Sequence, residues 1–349
     1  MYIFYLILLL VPMLALKRRD NGDTAILDSP STTSIKGVVC FYVMFHNLGL
    51  DLEGNSYFKE LLCEHTGGIG VGLFFFLSAF GIICSYQKKG NKYLPRLIFV
   101  HIPKLYIIAV FINCLTYFTF LRGAFEGVDL WMRILNLDLL NNFNRINRHG
   151  WYIATIIALY LLFALVYFIC SKLKSEKRFI IAGVSLAAIV VLVKLISRIA
   201  DEGGMYTREM PAFALGCLYA TFYREVNALA KKFFTPLLCA SIAAFILGFF
   251  IWEPLATYAS VAIIITVSQK YIYKSPITHF FGKLAIGIYL YLHFSSIVMQ
   301  PFISNEYLWV LTNAGFIIEL AAITYAAEYA LTYLFKKAGS ALKTASLKK

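Results

Sequence analysis

The residues best suited to chemistry are a lysine and a histidine in one apolar stretch. Lys36 precedes His46 by ten positions, which corresponds to about 15 Å along a helix. If Lys36 marks the cytoplasmic end of that helix, His46 lies well inside the bilayer, where ionisable groups are costly and usually functional. A neutral imidazole there could accept the proton of an alcohol as a general base. The alternative is a histidine whose only role is to hydrogen-bond to a neighbouring helix.

The elements that carry these residues are predicted to be membrane-spanning helices. The chain has 349 residues, of which 60% are hydrophobic and 15% are charged, and its mean hydropathy is +0.72. Several apolar stretches reach the roughly 20 residues that a bilayer-spanning helix needs. We therefore predict an all-α integral membrane protein of about 11 transmembrane helices, at residues 2–16, 36–52, 69–86, 98–120, 150–170, 179–197, 209–224, 233–252, 256–271, 281–303 and 308–335.

The distribution of basic residues predicts the orientation of the chain. The formal net charge of +13 could indicate a nucleic-acid partner, but such proteins carry their basic patches on a soluble surface. With the helices above, 24 of the 32 Lys and Arg residues fall on one side, which the positive-inside rule makes cytoplasmic. The N-terminus is then outside and the C-terminus is cytoplasmic, in a multi-pass protein of the plasma (inner) membrane.

The first apolar stretch is predicted to remain in the mature protein. No basic residue precedes it, and the cluster Lys17, Arg18 and Arg19 follows it, which is the reverse of a secretory signal. We interpret residues 1–20 as an N-terminal membrane anchor. The seven cysteines show neither a disulfide framework nor the spacing of a metal site, so no metal is expected.

Two of the predicted external connections, residues 51–68 and 121–150, are longer than turns. The second is rich in asparagine and is followed by Trp151. Amide groups beside an aromatic ring are typical of a carbohydrate-binding surface, because sugar hydroxyls need paired donors and acceptors while sugar C–H faces pack on rings. A solvated loop with an interfacial tryptophan is the alternative interpretation.

Two segments together resemble a known family of membrane enzymes. The first is Ser34-Ile-Lys-Gly-Val-Val-Cys-Phe-Tyr-Val-Met-Phe-His46-Asn47, and the second is Gly67-Gly-Ile-Gly-Val-Gly-Leu-Phe-Phe-Phe-Leu-Ser-Ala-Phe-Gly81. They resemble the acyltransferase 3 family of bacterial membrane O-acyltransferases, whose first core helix carries a basic residue and then a histidine. The residues that match the next helix of the family are Gly70, Val71, Phe74, Phe75, Phe76, Ser78 and Phe80, with Ala79 where glycine is usual.

Four later segments continue the resemblance in the same order along the chain. They are Arg96 to Tyr106, Trp151-Tyr152-Ile153, Arg208 to Ala220, and Phe281 to Leu290 followed by His293. The resemblance implies an acyltransferase 3-like membrane domain at residues 34–335, preceded by the extra anchor and followed by a basic cytoplasmic tail at residues 336–349.

The resemblance also implies the donor, which is acetyl-CoA or a related acyl-CoA. Cationic side chains on the cytoplasmic face suit its phosphates. We predict that Lys36 and His46 act in catalysis, and that the donor contacts Arg96, His101 and Lys104, although Arg96 and Lys104 could instead contact only lipid headgroups. The predicted acceptor-binding residues are Glu64, Trp151, Tyr152 and Tyr289.

The predicted reaction moves an acetyl-type group to a hydroxyl of a cell-envelope glycan or its lipid-linked precursor, with His46 as general base or acyl relay. The predicted partners are therefore the lipid bilayer, acyl-CoA and a glycan acceptor, without nucleic acid. The competing hypothesis is a transporter or flippase of a lipid-linked sugar, although the sequence shows no inverted repeat. A purely structural membrane protein is a third possibility, but it would not need Lys36 and His46 on one helix.

Overall fold

The computed structural model describes the backbone of residues 15–20, 26–50, 57–123, 126–137, 146–147, 149–199, 207–299 and 306–346. In chain order its elements are β1 (Leu16–Arg18), α1 (Ser29–Leu50), α2 (Tyr57–Lys89), α3 (Tyr93–Arg96), α4 (Ile102–Phe120), α5 (Gly127–Ile134), α6 (Gly150–Ser171), α7 (Arg178–Ile199), α8 (Met210–Thr221), α9 (Tyr223–Lys232), α10 (Phe234–Ile251), α11 (Glu253–Val267), β2 (Tyr271–Tyr273), α12 (Pro276–Met299) and α13 (Glu306–Ser346).

The fold confirms the prediction of an all-α membrane protein. Every predicted helix from residues 36–52 onward overlaps a helix of the structure. Five helical segments of the described residues are apolar and long enough to cross a membrane, at residues 66–119, 150–171, 178–199, 234–251 and 312–335. Helices α7 and α10 expose many of their large apolar side chains, as helices that face lipid do.

Several boundaries differ from the predictions. Helix α2 begins at Tyr57, so much of the predicted connection at residues 51–68 is helical, and the predicted loop at residues 121–150 contains α5. The predicted helix at 209–224 ends at Thr221, and α9 follows as a separate, amphipathic helix. These helical segments contain polar residues, so long apolar stretches alone did not predict them.

Both chain ends also differ from the predicted boundaries. Residues 2–14 of the predicted first helix lie outside the described residues, and Leu16, at the end of that prediction, begins β1 instead of ending a helix. Helix α13 continues to Ser346, through most of the predicted tail at residues 336–349.

A short antiparallel ladder joins two segments that were both predicted to be cytoplasmic. Lys17 pairs with Ile272, and Arg18 pairs with Tyr271. The backbone N–H of Arg19 donates a 2.9 Å hydrogen bond to the carbonyl of Lys270. The ladder therefore places the basic segment before α1 beside the basic segment before α12.

The centre of the fold is formed by α1 and α2. Helix α1 packs against α2 and α12, and α2 packs in turn against α8 and α11. Glycines allow the closest of these contacts: a side chain at Gly37 would collide with the carbonyl of Thr278, and one at Gly282 would collide with the carbonyl of Thr33. Helices α1 and α12 are thus held backbone to backbone around the positions that carry Lys36 and Lys283.

Candidate active site

Lys36 lies where two cavities meet. Its side chain projects from α1 and is half-buried. An inner cavity of about 230 Å³ and a second cavity of about 620 Å³, here called the vestibule, share Lys36, Ser78 and Tyr160 in their walls. The two cavities are therefore neighbours, and Lys36 belongs to the walls of both.

The vestibule lies at the end of the bundle that was predicted to be cytoplasmic. Its wall includes Asp28 and Ser29 at the start of α1 and Lys88 at the end of α2. The Asp28 carboxylate accepts a 2.8 Å hydrogen bond from the backbone N–H of Ser31, which caps α1. Among the described residues of this wall, Lys36 and Lys88 are the cationic ones.

Two buried tyrosines lie in the wall of the inner cavity. The rings of Tyr152 and Tyr289 are 5.1 Å apart, and Phe74 contacts both of them. The remaining wall combines apolar residues with polar and charged ones; they are Leu105, Ile156, Ala285 and Ile286, and Lys36, Ser78, Tyr160, Lys283 and Glu328. The inner cavity therefore offers both apolar surface and charged groups.

Glu328 of α13 connects this cavity to two lysines. Its side chain lines the inner cavity and interacts electrostatically with Lys36. Its Oε1 also lies 2.6 Å from Nζ of Lys104, which donates a further hydrogen bond of 3.2 Å to Thr332. One carboxylate therefore interacts with two lysine side chains.

Three hydroxyl groups lie close together in the wall of the inner cavity. Ser78 neighbours both Tyr152 and Tyr160 there, and each hydroxyl can donate one hydrogen bond. Hydroxyl donors are therefore present close to the place where the two cavities meet.

His46 lies further along α1 and is half-buried. Its imidazole contacts α2 at Gly67, where a side chain would collide with ring atoms Cγ, Cδ2 and Nε2. Among the described residues in the walls of the two cavities, His46 is absent. The structure therefore separates Lys36, at the cavity junction, from His46, about 15 Å away along the same helix.

An ion pair lies beside the same turn of α2. Nε of Arg208 donates a 2.8 Å hydrogen bond to Oε1 of Glu209, and Glu209 is only 5% exposed. The carboxylates of Glu209 and Glu253 lie beside Gly68, the neighbour of the glycine that contacts His46.

The same ion pair is close to the inner cavity. Arg208 and Glu209 interact electrostatically with Tyr289, and the imidazole of His149 lies 5.1 Å from the Tyr289 ring. Polar groups therefore extend from the inner cavity at Tyr289 to the turn of α2 that contacts His46.

The predicted donor-binding residues lie near the vestibule but outside its wall. The His101 ring is 6.0 Å from the ring of Tyr93, which lines the vestibule, and Arg96 interacts electrostatically with both. Lys104 is engaged by Glu328 instead. Among the described residues of the vestibule wall, none of these three occurs, and their role in donor binding stays a prediction.

The predicted acceptor-binding residues fall in different places. Tyr152 and Tyr289 meet in the inner cavity. Trp151 is buried, with its ring 6.4 Å from that of Phe75 and 6.3 Å from that of Tyr152. It therefore packs against Tyr152. The backbone of Glu64 belongs to α2, and its side chain lies outside the described residues.

The comparison with protein families decides what kind of protein this is. The model described as "Acyltransferase domain" (Acyl_transf_3) matches residues 33–333. The chain belongs to the acyltransferase 3 family. The match confirms the resemblance. No curated protein and no solved structure matches the chain.

Membership of the acyltransferase 3 family makes this chain a membrane acyltransferase and does not favour the transporter hypothesis. The family-like segment of α2 has two roles in the structure. Phe75 and Phe76 are fully buried in the core, whereas Phe74 and Ser78, one turn apart, line the inner cavity. The segment thus both packs the bundle and forms the junction around Lys36.

Sequence reasoning missed three residues of this acyltransferase 3 site. Glu328 is an ionisable residue inside a predicted membrane span. Such residues are usually functional, so the sequence alone could have identified Glu328. Tyr160 lies two turns after Tyr152 on the same face of α6, which the helical period also indicates. No local signal marks Lys88, because it is one of many basic residues on its side.

Proposed function

We propose that this membrane acyltransferase moves an acetyl or similar small acyl group from cytoplasmic acyl-CoA to a hydroxyl of a cell-envelope glycan or its lipid-linked precursor, at the inner membrane. The observation that carries the proposal is the meeting of the vestibule and the inner cavity at Lys36, Ser78 and Tyr160. Exopolysaccharide, O-antigen, capsule and peptidoglycan all offer suitable hydroxyls.

The size of the inner cavity supports a small acyl group. Its volume of about 230 Å³ is below the roughly 300–1,000 Å³ of pockets that enclose drug-sized ligands. The inner cavity therefore suits the acyl thioester, while the adjoining arm of the donor occupies the vestibule. Succinyl-CoA would additionally place a carboxylate near Lys36 and Lys283.

The polar groups of the inner cavity suit attack on a thioester. When the acceptor oxygen bonds to the thioester carbon, negative charge develops on the carbonyl oxygen. The ammonium group of Lys36 can hold the donor at the cavity junction, and the hydroxyl groups of Tyr152 and Tyr289, on the side of the inner cavity nearest Arg208 and Glu209, can donate hydrogen bonds to that oxygen. The carbon–sulfur bond then breaks, and CoA leaves as a thiolate that takes up a proton.

His46 is assigned to the acceptor side of the reaction. As a general base it takes the proton of the acceptor hydroxyl, and as a relay it accepts the acyl group on a ring nitrogen before passing it on. Its position supports this role, because it lies beyond the cavity junction and beside the polar groups around Glu209 and Glu253.

The proposal is tested with inside-out membrane vesicles and radiolabelled acetyl-CoA. We expect label to enter the lipid-linked or glycan fraction with the parent protein, and to fall about 100-fold with Lys36→Met, because the variant lacks the cation at the junction. Lys231→Met, at an exposed basic residue of α9, is the matched control and keeps parental transfer. Label that is independent of the protein, or equal label with Lys36→Met, would overturn the proposal.

A further inference from the structure

A third cavity, of about 550 Å³, borders the vestibule. Gln87 lines both, so the two spaces are neighbours at the end of α2. We call the third space the basic cavity, because three cationic side chains line it together with three aromatic ones. They are Lys89, Lys92 and Arg178, and Tyr86, Tyr167 and Phe179.

The aromatic wall of the basic cavity is held by packing. The rings of Tyr86 and Tyr167 are 4.7 Å apart, and those of Tyr167 and Phe179 are 5.9 Å apart. The Tyr86 hydroxyl donates a 2.6 Å hydrogen bond to the side-chain oxygen of Asn91, which also lines the cavity. The wall therefore presents the partly buried rings of Tyr86 and Phe179, while the buried Tyr167 packs against both of them.

The cationic groups surround this wall and face solvent. Lys89 and Lys92 flank the turn at Gly90, whose φ of +59° is a left-handed conformation that glycine adopts without strain. Arg178 is the first residue of α7. All three side chains are exposed, so a polyanion can reach them from the side predicted to be cytoplasmic.

Aromatic rings beside cationic groups are suited to a nucleotide. A base can stack on an aromatic side chain, and Arg and Lys bind phosphate oxygens through charge-assisted hydrogen bonds. The vestibule wall has two cations, Lys36 and Lys88, and also carries the Asp28 carboxylate. The basic cavity is therefore the better of the two for a polyphosphate.

We propose that the basic cavity binds the nucleotide end of acyl-CoA, with its adenine against the aromatic wall and its phosphates at Lys89, Lys92 and Arg178. The connecting arm of the donor then passes Gln87 into the vestibule and brings the thioester to Lys36. This inference rests on the proposed function, because it takes acyl-CoA as the donor. It places the phosphates on cations other than the predicted Arg96 and Lys104.

The test compares acetyl-CoA with acetyl-pantetheine, a donor without the nucleotide, using the full-length protein in vesicles of neutral lipid. The parent should show a lower KM for acetyl-CoA. Arg178→Gln should raise the KM for acetyl-CoA about tenfold, which corresponds to the loss of one charge-assisted contact. The kcat with acetyl-CoA and both kinetic parameters with acetyl-pantetheine should stay at parental values. Lys174→Gln, in the same connection but outside the cavity wall, should match the parent.

Two results would overturn the inference. One is a parent that uses both donors with equal KM, and the other is an Arg178→Gln variant whose KM changes equally for both donors or for neither. An effect of Arg178→Gln that occurs only in vesicles containing anionic lipid would assign the cavity to a lipid headgroup and would also overturn it.

A binding measurement separates this inference from the proposed function. Labelled adenosine 3′,5′-bisphosphate should bind the parent and should bind Arg178→Gln about tenfold more weakly. If the parent transfers no acyl group but binds this nucleotide through Arg178, the proposed reaction fails while the nucleotide site stands. If the parent transfers acyl groups but does not bind the nucleotide, the site fails while the reaction stands.

Discussion

The imidazole of His46 in α1 lies directly against Gly67 in α2, with no room for a side chain between them. The neighbouring Gly68 contacts the carboxylates of Glu209 and Glu253 on an adjacent face of α2. Two consecutive glycines thus bring a histidine and two acidic groups to one helical turn. The arrangement makes the position of His46 depend on the absence of a side chain at Gly67.

Gly67→Ala should therefore impair catalysis without removing any functional group. The added methyl group would displace the imidazole, and a shift of about 1 Å in a reacting group can lower turnover about 100-fold. Acetyl transfer per folded protein, measured with the parent and the variant in the same vesicles, checks this. Gly315→Ala is the control, because an added methyl group there meets nothing within 4 Å; parental turnover in Gly67→Ala would contradict the account.

Ser78→Ala should lower kcat and leave the KM for acetyl-CoA nearly unchanged. Ser78 lies beside the hydroxyl of Tyr152 in the wall of the inner cavity, and loss of one well-placed donor to a developing oxyanion costs about 100-fold in rate. Steady-state kinetics with acetyl-CoA would separate the two parameters. Ser78→Thr, which keeps a hydroxyl, should recover much of the rate, and Ser241→Ala, at a buried serine of α10, should behave as the parent. A rise in KM with unchanged kcat would assign Ser78 to donor binding alone.

Glu328→Gln should lower both stability and turnover, because Lys36 and Lys104 then both lose the carboxylate with which they interact. The Lys104–Glu328 pair is partly buried, with side chains 22% and 26% exposed, so we expect a coupling energy of about 1 kcal/mol. A double-mutant cycle with Lys104→Met and Glu328→Gln, followed by thermal unfolding in detergent, measures this coupling. Strictly additive effects of the two substitutions would show that the pair is not coupled.

Gly37→Ala should destabilise the contact between α1 and α12. A methyl group at this position collides with the backbone carbonyl of Thr278, and a backbone cannot yield as a flexible side chain does. Overpacking of this kind costs about 1–3 kcal/mol. The midpoint of thermal unfolding should fall relative to both the parent and Gly315→Ala, and an unchanged midpoint would mean that the two helices can separate freely.

The sequence predicted the spanning helices because their signal is local. Long apolar stretches such as residues 150–170 and 179–197 reappear as α6 and α7 with boundaries that differ by one or two residues. Prolines at the first turns of α4, α8 and α11 also mark helix starts, where the missing N–H is tolerated. The polar first turns of α2 and the amphipathic α5 carry no such apolar signal, so their extent was missed.

The candidate site was only partly predictable, because most of it depends on contacts between distant segments. Lys36 and Tyr289 were predicted site residues, yet their common cavity arises from the packing of α1, α6 and α12. Arg96 and Lys104 have the positive charge that a donor phosphate needs, and Arg96 lies close to Tyr93 of the vestibule wall. The vestibule instead uses Lys88, and Lys104 is engaged by Glu328, which comes from the last helix of the chain. Charge and topology identify the face of the protein on which a residue lies but not its partner.

The central claim is that His46 carries the acyl-transfer chemistry. The most direct test uses membranes that contain the parent or His46→Ala at equal expression. Both are incubated with radiolabelled acetyl-CoA, and the label that enters envelope glycan is measured. Our account predicts label with the parent and a loss of at least about 100-fold with His46→Ala, since a positioned general base contributes about 10²–10⁴ in rate. Equal label in the two membranes would contradict the account.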